Sequence, residues 1–196
     1  MSVPELMPAL FVPHGGGPMP LLGEANHREL TAFMQSVSAR LPRPDAILVI
    51  TAHWEEAFAT VSSSRAPGML YDYHGFPPES YQFRYPAAGD PALAAFIADM
   101  LEKQGIKSRL DPARDFDHGT FVPLMLMYPD ADIPVIQLSL MANFDPAAQL
   151  RWEKRWRLCV SRECWSWVQV CPFTTCRPSS LPTLLPGTGA SDSTAG

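Results

Sequence analysis

Three of the five histidines stand where they could do chemistry. His14 follows the apolar run PALFVP and precedes Gly15, Gly16 and Gly17. His53 follows the apolar run DAILVITA. His118 lies in DFDHGTFVPLMLMYP. Neutral imidazole is the commonest metal-ligating side chain. Two imidazoles and a carboxylate make the facial set that leaves positions open on Fe(II). A lone histidine after a strand is ordinarily a hydrogen-bonded loop residue, but two of them at two strand ends point to a shared site. The glycines after His14 lack side chains, so a substrate or metal can come close to the backbone at Gly15 and Gly16. His118 could transfer a proton or hydrogen-bond a substrate. Asp115 and Asp117 are near enough in sequence to orient its ring or raise its pKa. The plainer reading makes it a loop histidine before a helix that starts near Thr120. His27 opens an amphipathic segment and is expected to be solvated. His74 belongs to YDYHGFPPESYQFRYPAAGDP, where Tyr71, Tyr73, Phe76, Tyr81 and Tyr85 either line an aromatic pocket or simply pack.

The elements that must position these groups follow from periodicity. Residues 8–13 and 45–52 are continuous apolar runs and predict buried strands, as do 133–140; residues 59–64 suggest another. Residues 27–41 place Leu30, Phe33, Met34, Val37 and Leu41 on one helical face, and Pro42 and Pro44 end that helix. Residues 90–105 predict a second helix, opened by Asp90-Pro91 and closed by Gly105. Residues 67–89 read as a long surface loop. Alternating strands and helices predict an α/β fold, a central mostly parallel sheet with helices on both faces. In such sheets the ligand crevice lies beyond the carboxyl ends of the strands, where His14 and His53 both fall.

Composition narrows the function. The chain has 196 residues, 46% hydrophobic and 18% charged, with net charge −5. This is globular and too acidic to advertise a nucleic-acid partner. No apolar run reaches the roughly 20 residues of a membrane helix. No basic region precedes the first apolar stretch, so a cytoplasmic protein is expected. A seam lies near Arg151. Residues 1–150 carry a net charge of −8 and residues 151–196 carry +3. All four cysteines, Cys159, Cys164, Cys171 and Cys176, lie beyond it, separated by 4, 6 and 4 residues. No histidine accompanies them, so a zinc knuckle is disfavoured.

Five segments, PALFVPHGGGPM, ILVITAHWEE, MLYDYHGFPPESYQFRYPAAGDP, DHGTFVPLMLMYP and IPVIQLSL, together resemble the class III extradiol ring-cleavage dioxygenases, in the LigB-like branch that includes DOPA extradiol dioxygenases. They run in family order over about residues 8–147. The resemblance implies one non-haem ion, Fe(II) or Zn(II), held by His14 and His53. It implies that His118 donates a hydrogen bond to the substrate, beside Gly15, Gly16 and Tyr73. The implied reaction opens a small aromatic diol with O2, beside its two hydroxyls. It says nothing of oligomeric state. Two other readings stand: a catalytically inactive truncated isoform that only binds, or a zinc hydrolase with Glu55 or Glu56 as base. The last lacks an H-E-x-x-H motif.

Residues 1–150 are therefore read as the N-terminal part of such a domain, and 151–196 as a divergent, poorly ordered tail. The tail lacks the family's glycine turn and Ser-(Phe/Tyr)-His-Asn stretch, so the C-terminal part of the fold is expected to be missing. Metal affinity and activity are then expected to be impaired. Re-reading the tail's codons from their third base forces Gly from Trp152–Glu153, Leu from Cys164–Trp165, Gly from Trp167–Val168, and His or Tyr from Phe173–Thr174. The degenerate pairs between them permit LGKALAPLR and then GVLVLGSGLSFHNL, which restores the missing motif. A shifted reading frame is the expected cause. Sequencing the coding region across codon 150 checks this: a frame encoding that peptide is expected, and its absence removes the interpretation.

Overall fold

The apolar runs become strands of one sheet. The computed structural model describes residues 9–142 and 165–171. In chain order they form β1 (Ala9–Pro13), α1 (Arg28–Val37), β2 (Ala46–Glu56), β3 (Ala59–Ser62), α2 (Pro91–Lys103), β4 (Ser108–Asp111), α3 (His118–Met127), β5 (Val135–Met141) and β6 (Trp165–Cys171). The sheet order is β1-β6-β2-β5-β3-β4. Every pairing is parallel except β3 with β5, which is antiparallel. This is the mostly parallel α/β sheet that the alternation of elements predicts.

Period-2 alternation in β2 and β5 divides the core. Ile47, Val49 and Val135 face α1 and α3, joining Met34, Phe121, Val122, Leu124 and Met127. Leu48, Ile50, Ile136 and Leu138 face the other way, joining Ala94, Ile97 and Leu101 of α2. Strands buried on both faces are apolar throughout, which is why 45–52 shows no alternation. The helix ends carry their sequence signals. Asp90 accepts from the backbone N–H groups of Ala92 and Leu93, both at 3.0 Å. At the other end Gly105 (φ 76°) donates to Glu102 O and Ile106 to Leu101 O, a Schellman closure that needs a left-handed residue. Helix α3 is apolar all round and almost wholly buried.

Three features differ from the sequence reading. Strand β4 (SRLD) is not among the elements read from the sequence; it is four residues long and three of them are polar. Strand β2 runs on to Glu56, so His53 lies inside it rather than after it. Residues 165–171, read as part of the tail, supply β6 between β1 and β2. The segment WSWVQVC carries the alternation and the aromatic and β-branched residues that favour a strand. The rest of the divergent segment, and with it the questions of tail order, cysteine ligation and the shifted frame, lies outside the described residues. Among the described residues no helix is long and apolar enough to cross a membrane.

The packing of α2 generates a ranked test. Ile97→Ala empties a fully buried site and should lower unfolding free energy by about 2–5 kcal/mol. Asp90→Ala removes only a cap and should cost about 1 kcal/mol. Urea denaturation of the two variants reads the order, and equal midpoints would contradict the core assignment.

Candidate metal and active site

Strand β1 stops at Pro13, and His14 is the first residue of the turn beyond it. The turn is tight: Gly15 and Gly17 have φ of 80° and 57°, a region that disfavours any side chain. A Cβ on Gly15 would lie 2.8 Å from both His27 Cδ2 and Pro20 Cγ. The Gly16 N–H donates to His27 Nε2 at 3.1 Å. His27 is thus not merely solvated; it clamps the glycine turn that presents His14.

His53 sits in an irregular part of β2. From Ile50 to Glu55 the strand advances five residues while its partner β5 advances only two, from Leu138 to Leu140. A bulge of this kind re-aims side chains, and here it includes His53. Its backbone N–H donates to Thr51 Oγ1 (3.2 Å), and that hydroxyl donates to Asp117 Oδ1 (2.8 Å). Asp117 is wholly buried, paired with Arg114 at 2.7 Å, and caps α3 by accepting from the Thr120 N–H at 3.0 Å. Thr120 in turn donates to Gln137 Oε1 of β5 at 2.8 Å. One buried polar network therefore joins β2, β5 and the start of α3. The next position matters as well: a Cβ on Gly119 would fall 2.7 Å from His53 Cδ2 and 2.8 Å from Thr51 Oγ1.

These elements bring His14, His53 and His118 together. Ring centroids are 4.7 Å apart for His14 and His53, 4.8 Å for His14 and His118, and 4.0 Å for His53 and His118. One nitrogen from each lies within 4.8 Å of the others. The Nε2 atoms of His14 and His53 approach to 2.8 Å, so one must carry a proton toward the other unless a cation replaces it. Burial, then the nearby His118 and His53, pushes the pKa of His14 down to about 3. Burial and then His118 also lower that of His53. Both rings are neutral at physiological pH, the form that ligates metal. Among the described residues His14 Nδ1 is buried without a partner. Three imidazoles beside a carboxylate make a donor set that could hold a metal ion.

The carboxylate is Asp72, from the loop over 63–89. Its Oδ1 accepts from His118 Nδ1 at 2.7 Å and from the His118 backbone N–H at 2.9 Å. Burial opposes its ionisation, but these bonds outweigh burial and lower its pKa. Asp72, and neither Asp115 nor Asp117, therefore orients His118. Asp115 is spent on the Gly68 N–H at 2.6 Å. Nothing in the spacing singled out Asp72, 46 residues away, although the DxH triplet around Tyr73 marks a polar spot in an aromatic run.

The loop's aromatics divide. The Tyr73 ring lies 5.7 Å from His118, with Phe76 and Tyr81 packed against it at 5.5 and 5.3 Å. Its hydroxyl donates to Ser80 O at 2.6 Å, and burial raises its pKa to about 12, so it presents a ring face and no acid–base group. Tyr71 donates to Phe83 O at 2.7 Å and is met by Arg84. Tyr85 does not line this pocket; it is buried beside Phe116 and donates to Tyr128 O. His74 is exposed. Glu56, a base in the hydrolase reading, is engaged by Trp54 Nε1 (3.0 Å) and Arg109 Nη2 (2.6 Å).

The crowding at Gly119 makes a specific claim. Gly119→Ala must displace His53 or Thr51 and should weaken Zn(II) binding by about 10-fold or more, the range typical when a ligand's support is disturbed. Gly23→Ala, where an added Cβ meets nothing within 4 Å, should leave affinity unchanged. Isothermal titration with Zn(II) compares them.

Residues 8–152 match the family model described as the catalytic LigB subunit of aromatic ring-opening dioxygenase. The chain is 45% identical over 157 residues to a dioxygenase of Hapsidospora irregularis, covering 74% of this chain and 48% of that protein. It is 41% identical to a 4,5-DOPA dioxygenase extradiol of Beta vulgaris (74% and 54% covered) and 43% identical to one of Escherichia coli K12 (72% and 50%). The chain spans about half the length of these curated relatives. A crystal structure of an uncharacterized E. coli K12 protein superposes with a TM-score of 0.65 at 35% identity, covering 84% of this chain and 59% of the other. With three histidines gathered from the turn after β1, the bulge of β2 and the start of α3, and the family match running through all of them, the chain belongs to the LigB family of aromatic ring-opening dioxygenases.

Proposed function

We propose that this domain opens the ring of a small vicinal aromatic diol in extradiol fashion with O2, DOPA being the substrate class suggested by the relatives' names. The observation that carries this is the convergence of three imidazoles, from the turn after β1, the bulge of β2 and the start of α3, within 4.8 Å. His14 and His53 would hold one non-haem ion, Fe(II) or Zn(II). When bound, the ion would act as a template for the diol oxygens and O2.

The chain's own residues account for the rest. The Gly15–Gly16 turn, clamped by His27, presents His14 to the cluster. The Tyr73 face, backed by Phe76 and Tyr81, offers an apolar wall that excludes water. His118 lies beside both other imidazoles and is placed to exchange a proton with a ligand hydroxyl. Both polar and apolar walls come from segments whose order in the chain matches the family.

The test uses the whole chain. After Fe(II) loading, one ion per chain and O2 uptake with DOPA are expected. His14→Ala and His53→Ala should each drop metal content well below one ion per chain. His118→Ala should retain the ion and lower turnover by about 100- to 10,000-fold. A chain that holds one ion yet consumes no O2 with any catechol would overturn the ring-opening reading and leave a binding protein.

A further inference from the structure

We propose that Thr51 is a positioning residue for the metal centre: its hydroxyl holds His53 in the bulge of β2. The inference rests on the reading of His14 and His53 as ligands of one ion, and it names what keeps the second of them in place.

The bulge creates the need. Strand β2 pairs with β6 as far as Thr51 and with β5 as far as Ile50, and its pairing with β5 resumes only at Glu55. Among the described residues, Ala52, His53 and Trp54 have no ladder partner on either side. A backbone N–H released from a ladder needs another acceptor. For His53 the acceptor is two residues back in the chain: its N–H donates to Thr51 Oγ1 at 3.2 Å.

The direction of that hydroxyl is set from the other side. Thr51 Oγ1 lies 2.8 Å from Asp117 Oδ1. A carboxylate oxygen only accepts, so the Thr51 hydrogen goes to Asp117 and a lone pair is left for the His53 N–H. Asp117 is itself anchored. The same oxygen accepts from the Thr120 N–H at 3.0 Å, and Oδ2 is paired with Arg114 at 2.7 Å. Thr51 is wholly buried, so bulk water has no route to replace the bond. Helix α3 closes over the pair: a Cβ on Gly119 would lie 2.8 Å from Thr51 Oγ1 and 2.7 Å from His53 Cδ2. The hydroxyl thus joins the backbone of one ligand to the helix start that carries His118. Removing it while keeping the side chain's shape leaves the His53 N–H without an acceptor and takes one donor from Asp117.

Two variants of the full chain separate the hydroxyl from the shape. Thr51→Val keeps the shape and deletes the hydroxyl, whereas Thr51→Ser keeps the hydroxyl. In isothermal titration with Zn(II), Thr51→Val should bind about 10- to 100-fold more weakly than the wild type, and Thr51→Ser should restore the affinity. In the metal-free protein, hydrogen exchange read by NMR should be about 10-fold faster at the His53 amide of Thr51→Val, with the Leu138 amide of β5 as reference. Ile97→Ala lowers stability on the opposite face of the sheet and should leave Zn(II) affinity unchanged, so a loss confined to Thr51→Val is not general destabilisation. Wild-type affinity in Thr51→Val, an equal loss in Thr51→Ser, or an equal loss in Ile97→Ala would overturn the proposal. Should Thr51→Val not fold, Thr51→Ser decides: retained affinity and slow His53 exchange support the hydroxyl's role, and a 10-fold loss ends it. If the wild type binds no Zn(II), the metal reading fails instead, while the exchange rate still decides whether Thr51 holds the His53 amide.

Discussion

His14 and His53 share a few ångströms because both rings are uncharged. A proton on either would place a positive charge in a partly desolvated pocket beside another imidazole, and burial opposes that first, with repulsion from the neighbouring rings adding to it. The rest of the site follows from this. Neutral rings have lone pairs to offer. A lone pair aimed at another lone pair is repulsive, so the cluster needs a shared proton or a cation. The 2.8 Å approach of the two Nε2 atoms shows how closely the fold brings the donors together. Among the described residues, Asp72 sits at the edge of the cluster and bonds to it through His118.

Holding the rings in this arrangement requires rigid support from below. That support is polar and buried. Asp117 joins Thr51 of β2, Arg114 and the first turn of α3, and Thr120 extends the network to Gln137 of β5. A buried charge without partners is strongly destabilising, and Asp117 is met by Thr51, Thr120 and Arg114. These bonds tie the bulge of β2 to the helix end that carries His118. Arg114 adds a contact over the Trp54 ring at 4.7 Å. The small residues close the arrangement: Gly119 lets α3 approach His53, and the left-handed Gly15 and Gly17 let the first turn fold back on itself.

The aromatic loop completes the enclosure by spending its polar atoms on itself. Tyr71 and Tyr73 donate their hydroxyls to carbonyls of the same loop, and the Tyr73 ring lies against His118 at the edge of the cluster. The family membership and the local chemistry point the same way, although they are independent arguments.

Much of this was legible in the chain. Continuous apolar runs at 45–52 and 133–140 specify strands buried on both faces; the run at 8–13 also becomes a strand, but an edge strand with Phe11 exposed rather than a buried one. Asp90-Pro91 with Gly105 delimit a helix through local backbone chemistry. These signals are local, and so they survive in one dimension. The pairing of His14 with His53 was also readable, because strand ends in such sheets converge on one rim. Asp72 could not be found that way. Its partner is 46 residues distant, and only the pairing of 68–72 with 115–118 brings them together. The nearer Asp115 and Asp117 looked like better partners and were used elsewhere. His27, the bulge at His53 and the crowding at Gly119 were equally hidden, since each depends on what a second segment places beside it. Strand β6 was missed because its alternation is short and its surroundings read as tail. Sequence by itself determined which residues could do chemistry and which elements would carry them. Tertiary structure alone decided which of those residues meet, because hydrogen-bond partners and close approaches are distances, and distances between remote segments exist only once the chain has folded.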